Sequence, residues 1–183
     1  MRKRQLVYGL ATYVPGVNAI FGRGGGDSKS ARYCYSVWLR HLVTAFAHGL
    51  AEHPRVVAEL GPGDTLGVGL AALISGAEKY NAFDVVRHAD VAHNQAIFDE
   101  LVALFARREP IPDGGELAEV RPLLDSYAFP AHILTDAVLA RVLAPDRLAR
   151  IRGALQDESV VQYRTRWFDE GAIERDSVDL VCS

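Results

Sequence analysis

Cysteine is scarce: Cys34 and Cys182 are the two in 183 residues. They lie far apart, without the dense pairing of a secreted disulfide scaffold or the close spacing of a zinc site, so a reducing, cytoplasmic compartment is expected. An excess of positive charge is also missing. The 20 Lys and Arg are outnumbered by 23 Asp and Glu, giving a formal charge of -3 and a pI of about 6.1. No global cationic field draws in nucleic acid regardless of sequence, and no nucleic-acid partner is expected. Long uninterrupted apolar runs are lacking too. The start, MRKR followed by QLVYGLATYVPGVNAIFG, has the positive charge of a signal peptide, but Tyr8, Thr12, Tyr13, Pro15 and Asn18 break the apolar stretch and no clean small-x-small cleavage site follows. A mature cytoplasmic segment with no membrane span is the expectation. There is no internal repeat.

What remains, 49% hydrophobic and 23% charged, is the make-up of one ordinary soluble domain able to bury its own core. After the loop GRGGGDSKS at Gly22 to Ser30, read as a flexible linker, SARYCYSVWLRHLVTAFAHGL predicts a helix capped by Ser30. Cys34, Val37, Trp38, Leu42, Phe46 and Leu50 recur on one of its sides. RVVAEL predicts a first strand of the kind buried on both faces of a parallel sheet, Leu66 to Ile74 a helix, and KYNAFDVV a second strand, which together make a βαβ unit.

From about His88 to Asp157 the chain reads as a mostly helical insertion. Ile97, Leu101, Leu104 and Phe105 stripe a first helix, stopped by Pro110, Pro112, Gly114 and Gly115; a second is expected over Ile133 to Leu143. A third begins at Pro145 and Asp146, with Leu148, Ile151 and Leu155 facing inward. SVVQYR and SVDLVCS predict a third and a fourth strand. Residues 1–50 form an amino-terminal segment with a cap helix, and 51–183 an α/β domain carrying the insertion at about 88–157.

The stretch VVAELGPGDTLGVGLAAL places Gly61, Gly63 and Gly67 after the first strand, where open α/β sheets bring backbone nearest to a ligand. A dinucleotide-binding turn more commonly reads G-x-G-x-x-G and offers a helix amino terminus to a diphosphate. Here Glu59 precedes the loop and Asp64 lies within it, two carboxylates that repel a diphosphate and suit a ligand carrying ammonium and sulfonium charges.

VVAELGPGDTLGVGLAAL, the second strand leading to Asp84, and the later W-F-D…SVDLVCS together resemble the class I S-adenosylmethionine-dependent methyltransferases, over roughly residues 55–86 and 160–183. The resemblance implies a Rossmann-like three-layer sandwich with a mostly parallel sheet, and S-adenosyl-L-methionine as cofactor. In that family the acid-x-Gly-x-Gly loop, here Glu59, Gly61, Pro62 and Gly63, cradles the methionine part. An acid after the second strand, here Asp84, holds the ribose hydroxyls, and Trp167, Phe168 and Asp169 are placed to supply the adenine pocket. The family sheet order 3-2-1-4-5-7-6 implies that this chain supplies 3-2-1-4, an apparently truncated domain whose fourth strand, Val178 to Val181, is an edge open to self-association. The implied function is methyl transfer to a small-molecule acceptor, with no catalytic base and no acceptor atom readable.

Other patterns carry less. Asp84, His88, Asp90 and His93 do not form a metal site, since His88 and His93 are five apart and share no helical face. Cys182 has no base near it in sequence and reads as packing. Two other readings stay open: a non-catalytic Rossmann-like module that senses a ligand or binds a protein, and a nicotinamide dinucleotide-binding oxidoreductase, disfavoured by Glu59 and the glycine spacing.

Overall fold

The computed structural model describes residues 30–86, 90–166 and 168–183. Its centre is an all-parallel sheet of β1 (Val56–Leu60), β2 (Lys79–Phe83), β3 (Val161–Arg164) and β4 (Leu180–Cys182), in the order β3-β2-β1-β4. This is the expected order in a Rossmann-like α/β fold. Five helices accompany it among the described residues: α1 (Ala31–Ala47), α2 (Gly67–Ser75), α3 (Val91–Arg107), α4 (Asp136–Val142) and α5 (Pro145–Asp157). None of them is long and apolar enough to cross a membrane.

α2 is the pivot of the helical layer. All nine of its residues are buried, because it lies between the sheet below and α1 and α3 on its flanks, and a helix surrounded in this way has no polar face. Two glycines permit that approach. A Cβ on Gly69 would sit 2.1 Å from the Tyr80 ring of β2, and one on Gly67 2.3 Å from Cys34 Sγ of α1. The entropic cost of glycine in a helix is offset by close packing on two sides.

Helix ends follow the sequence closely. Ser30 Oγ accepts from Tyr33 N–H at 3.2 Å, and Asp90 Oδ1 accepts from His93 N–H at 2.7 Å, capping α1 and α3. α1 buries Cys34, Trp38 and Leu42 as its periodicity predicts, and Trp38 Nε1 donates to Ser75 Oγ at 2.7 Å to tie α1 to the end of α2. Its buried face is wider than that stripe, taking in Tyr35, Ser36, Leu39 and Arg40. Arg147 of α5 donates to Leu73 O and Ala77 O, satisfying carbonyls at the carboxyl end of α2.

Several boundaries differ from expectation, three of them for reasons visible in the hydrogen bonding. β2 stops at Phe83 instead of running to Val86: Asp84 Oδ1 captures the next amide, Val85 N–H, at 2.6 Å, and Val85 and Val86 turn outward. β4 starts at Leu180, because Asp179 uses its carboxylate to accept from Arg55 and Val56 N–H. α4 starts at Asp136, where Thr135 Oγ1 accepts from Val138 N–H; Ile133 and Leu134 sit in the preceding turn, still buried. The insertion is also less helical than its composition predicts. Residues 108–135 contain no helix or strand and run as a strap beside α1.

The two sheet faces are covered differently. Val57, Glu59, Tyr80 and Ala82 turn toward α2, while Ala58, Leu60, Phe83 and Val181 line a groove of about 500 Å³ on the other face, with residues 173–178 along it.

Candidate functional site

β1 ends at Leu60, and Gly61 and Gly63 follow with φ of +72° and +71°, a left-handed backbone that favours glycine. Gly61 N–H donates to Phe83 O at 2.8 Å, so the turn stays anchored to β2 as it leaves the sheet. Among the described residues, nothing lies within 4 Å of the point where a Gly61 Cβ would stand. The backbone is bare there and faces open space. At the start of α2, Leu66 N–H is taken by Asn94 Oδ1 of α3 and Gly67 N–H by Thr65 Oγ1, so the turn is braced from two sides.

The space beside this turn is a cleft of about 410 Å³, within the range of small-molecule sites. One wall is Glu59, Gly61, Pro62, Gly63 and Thr65. Tyr33, Val37 and His41 of α1 form another, four residues apart and therefore on one helical face. The strap closes it with Glu119, Val120 and Arg121.

Glu59 sets the electrostatics of the cleft. Its side chain is 7% exposed and accepts from Tyr80 Oη at 2.5 Å and from the backbone N–H of Gly69. Burial pushes its carboxyl up to about 7, the charge of nearby Asp84 pushes the same way, and the two hydrogen bonds oppose them. His41 is lowered by burial, which favours its neutral form. Burial likewise raises Cys34 and Cys182 to about 12, leaving both as thiols without nucleophilic character at neutral pH.

The structure brings Glu59, Gly61, Pro62 and Gly63 together on one wall. Asp84 stands one strand over, half-buried at the carboxyl end of β2 and near enough to act on Glu59, but it does not line the cleft itself. Asp169 lies elsewhere, exposed, paired with Arg166 and lining a separate depression with residues 163–166 and 170–172. Trp167, His88, Tyr13 and most of the GRGGGDSKS loop fall outside the described residues. No group of three or more His, Cys, Asp or Glu able to hold a metal occurs among the described residues.

Several participants escape the sequence reading. Tyr80 has no role there beyond its place in the strand KYNAFDVV, yet it is the donor beneath Glu59. Arg40 is fully buried and pairs with no carboxylate among the described residues: its guanidinium donates to Val120 O, Pro122 O and Pro112 O of the strap and to Ser36 Oγ, with the Tyr127 ring 5.0 Å away. Its one sequence signal is an arginine among apolar residues in SVWLRHLV. Comparison with family models, curated proteins and solved structures finds no match to this chain.

Proposed function

We propose that this chain binds S-adenosylmethionine in the Glu59 cleft and belongs to a methyltransferase acting on a small molecule. The observation that carries the proposal is the pairing of a left-handed turn, Gly61 to Gly63, bare at Gly61, with a buried carboxylate, Glu59, at the carboxyl end of the central strand β1. Ligands of open α/β sheets sit at that end, next to the strand flanked on both sides. A carboxylate there favours a cationic ligand over a diphosphate.

The chain's residues divide the work. Gly61 and Gly63 would admit the methionine part against the backbone, Glu59 would attract its positive charges, and Asp84, at the end of the neighbouring strand, would hold the ribose hydroxyls as a double acceptor. When bound, the sulfonium supplies an activated methyl group. α1 and the strap then exclude water on the opposite side and orient whatever enters beside it.

Thermal denaturation with S-adenosylmethionine, S-adenosylhomocysteine and NAD, each added separately, tests this. Saturating S-adenosylhomocysteine is expected to raise the midpoint by the equivalent of about 2–3 kcal/mol at roughly a hundredfold excess over its dissociation constant, with NAD inert. A shift with NAD alone would replace the proposal by the nicotinamide reading.

A further inference from the structure

We infer that Arg121 of the strap is the residue that binds the carboxylate of the ligand's amino-acid end, facing Glu59 across the cleft. The inference rests on the methionine-type ligand proposed above. That ligand ends in an ammonium and a carboxylate, and Glu59 suits the first while repelling the second. The carboxylate therefore needs a cation from another wall.

The described residues that line the cleft offer one. Glu59 and Glu119 are acids, Tyr33 and Cys34 are shifted upward and stay protonated, and His41 is held toward its neutral form by burial. Arg121 is the remaining charged side chain. Its Nη1 donates to Ala118 O at 2.8 Å and Val120 O at 3.0 Å, which fixes the guanidinium and leaves Nη2 and Nε for a planar acceptor. It forms no ion pair with any described carboxylate, Glu119 included.

The backbone around Arg121 is held from below. Buried Arg40 donates through Nη1 to Val120 O at 2.6 Å and to Pro122 O at 3.3 Å, the carbonyls on either side of Arg121, and through Nη2 to Pro112 O at 2.7 Å. Val120 is itself buried at 5% exposure. An exposed guanidinium is thus presented by a fixed backbone, the arrangement a carboxylate-binding arginine requires. Arg40 is a positioning residue in this scheme.

The test measures dissociation constants of wild type, Arg121→Gln and Arg121→Lys for S-adenosylhomocysteine and for its decarboxylated analogue, which keeps the amine and lacks only the carboxylate. Arg121→Gln is expected to weaken S-adenosylhomocysteine by about tenfold, to leave the decarboxylated analogue within about twofold, and to be partly rescued by Arg121→Lys. Arg121 is exposed, so both variants should melt like wild type. Wild type that binds S-adenosylhomocysteine while Arg121→Gln binds it equally well overturns the assignment alone. Folded wild type that does not bind it overturns the methionine-ligand reading and this assignment together.

Discussion

Tyr80 donates a 2.5 Å hydrogen bond to the buried carboxylate of Glu59 from the neighbouring strand, and the Tyr80 ring fills the space that Gly69 leaves open above it. Sheet, helix α2 and cleft therefore meet at one pair of side chains. Packing of the glycine helix and chemistry of the cleft are not separable here, since the ring that demands glycine in α2 also carries the hydroxyl that holds Glu59.

Glu59 makes folding pH-dependent in a defined direction. Its folded value is raised from 4.5 to about 7, so its contribution to stability is fully present below about 4.5 and is lost as pH rises through about 7. The full swing is of the order of 3 kcal/mol. Glu59→Gln is expected to remove it, so that urea unfolding free energies of variant and wild type converge near pH 5 and favour the variant near pH 8. Comparison at equal pH cancels His41 and His53, whose lowered values act in the opposite sense. Parallel pH profiles for the two proteins would refute the assignment.

Glycine positions separate by what surrounds them. Gly69→Ala is expected to destabilise by about 3 kcal/mol or more, because the new methyl group meets the Tyr80 ring at 2.1 Å. Gly153→Ala, in α5 with nothing within 4 Å, is expected to stabilise by roughly 0.5–1 kcal/mol. Thermal melts of the two variants decide it; equal effects would mean that α2 does not press on β2 as described.

Arg40→Met is expected to cost about 2–4 kcal/mol, since it strips the buried carbonyls of Val120 and Pro112 of their charged donor. Amide hydrogen exchange over residues 112–122 should rise in this variant and stay near wild type in Leu42→Ala, a control destabilised within the α1 core. Equal exchange in both would show that Arg40 is only part of the core.

How far the sequence discloses this molecule can be read from the same residues. The βαβ unit and the caps at Ser30 and Asp90 arise from local causes: a β-branched run, a helical apolar period, a side-chain oxygen before it. The unit and Ser30 were readable in advance, whereas Asp90 entered the reading only as a rejected metal ligand, and the order 3-2-1-4, which joins segments distant in sequence, was implied by the family resemblance alone. Residues 108–135 lack any period, and their path is set by contacts from far away in sequence, among them Tyr35 Oη to Glu109 O and Ser36 Oγ to Pro112 O. Arg40 and Tyr80 were illegible for a related reason. A single arginine within an apolar helix, or a tyrosine within a strand, does not announce which distant carbonyl or carboxylate it will meet. Glu59, Gly61, Pro62 and Gly63 were legible as a group because they are contiguous; the strap wall of the same cleft was not.

The central claim is that the Glu59 cleft takes an adenosyl-methionine ligand, and the most direct measurement is calorimetric titration of the folded chain with S-adenosylhomocysteine, repeated with Asp84→Ala. The account predicts saturable binding by wild type, weakened by about tenfold or more in the variant as two charge-assisted hydrogen bonds are lost. A cooperatively folded wild-type chain that gives no saturable heat with S-adenosylhomocysteine would contradict it.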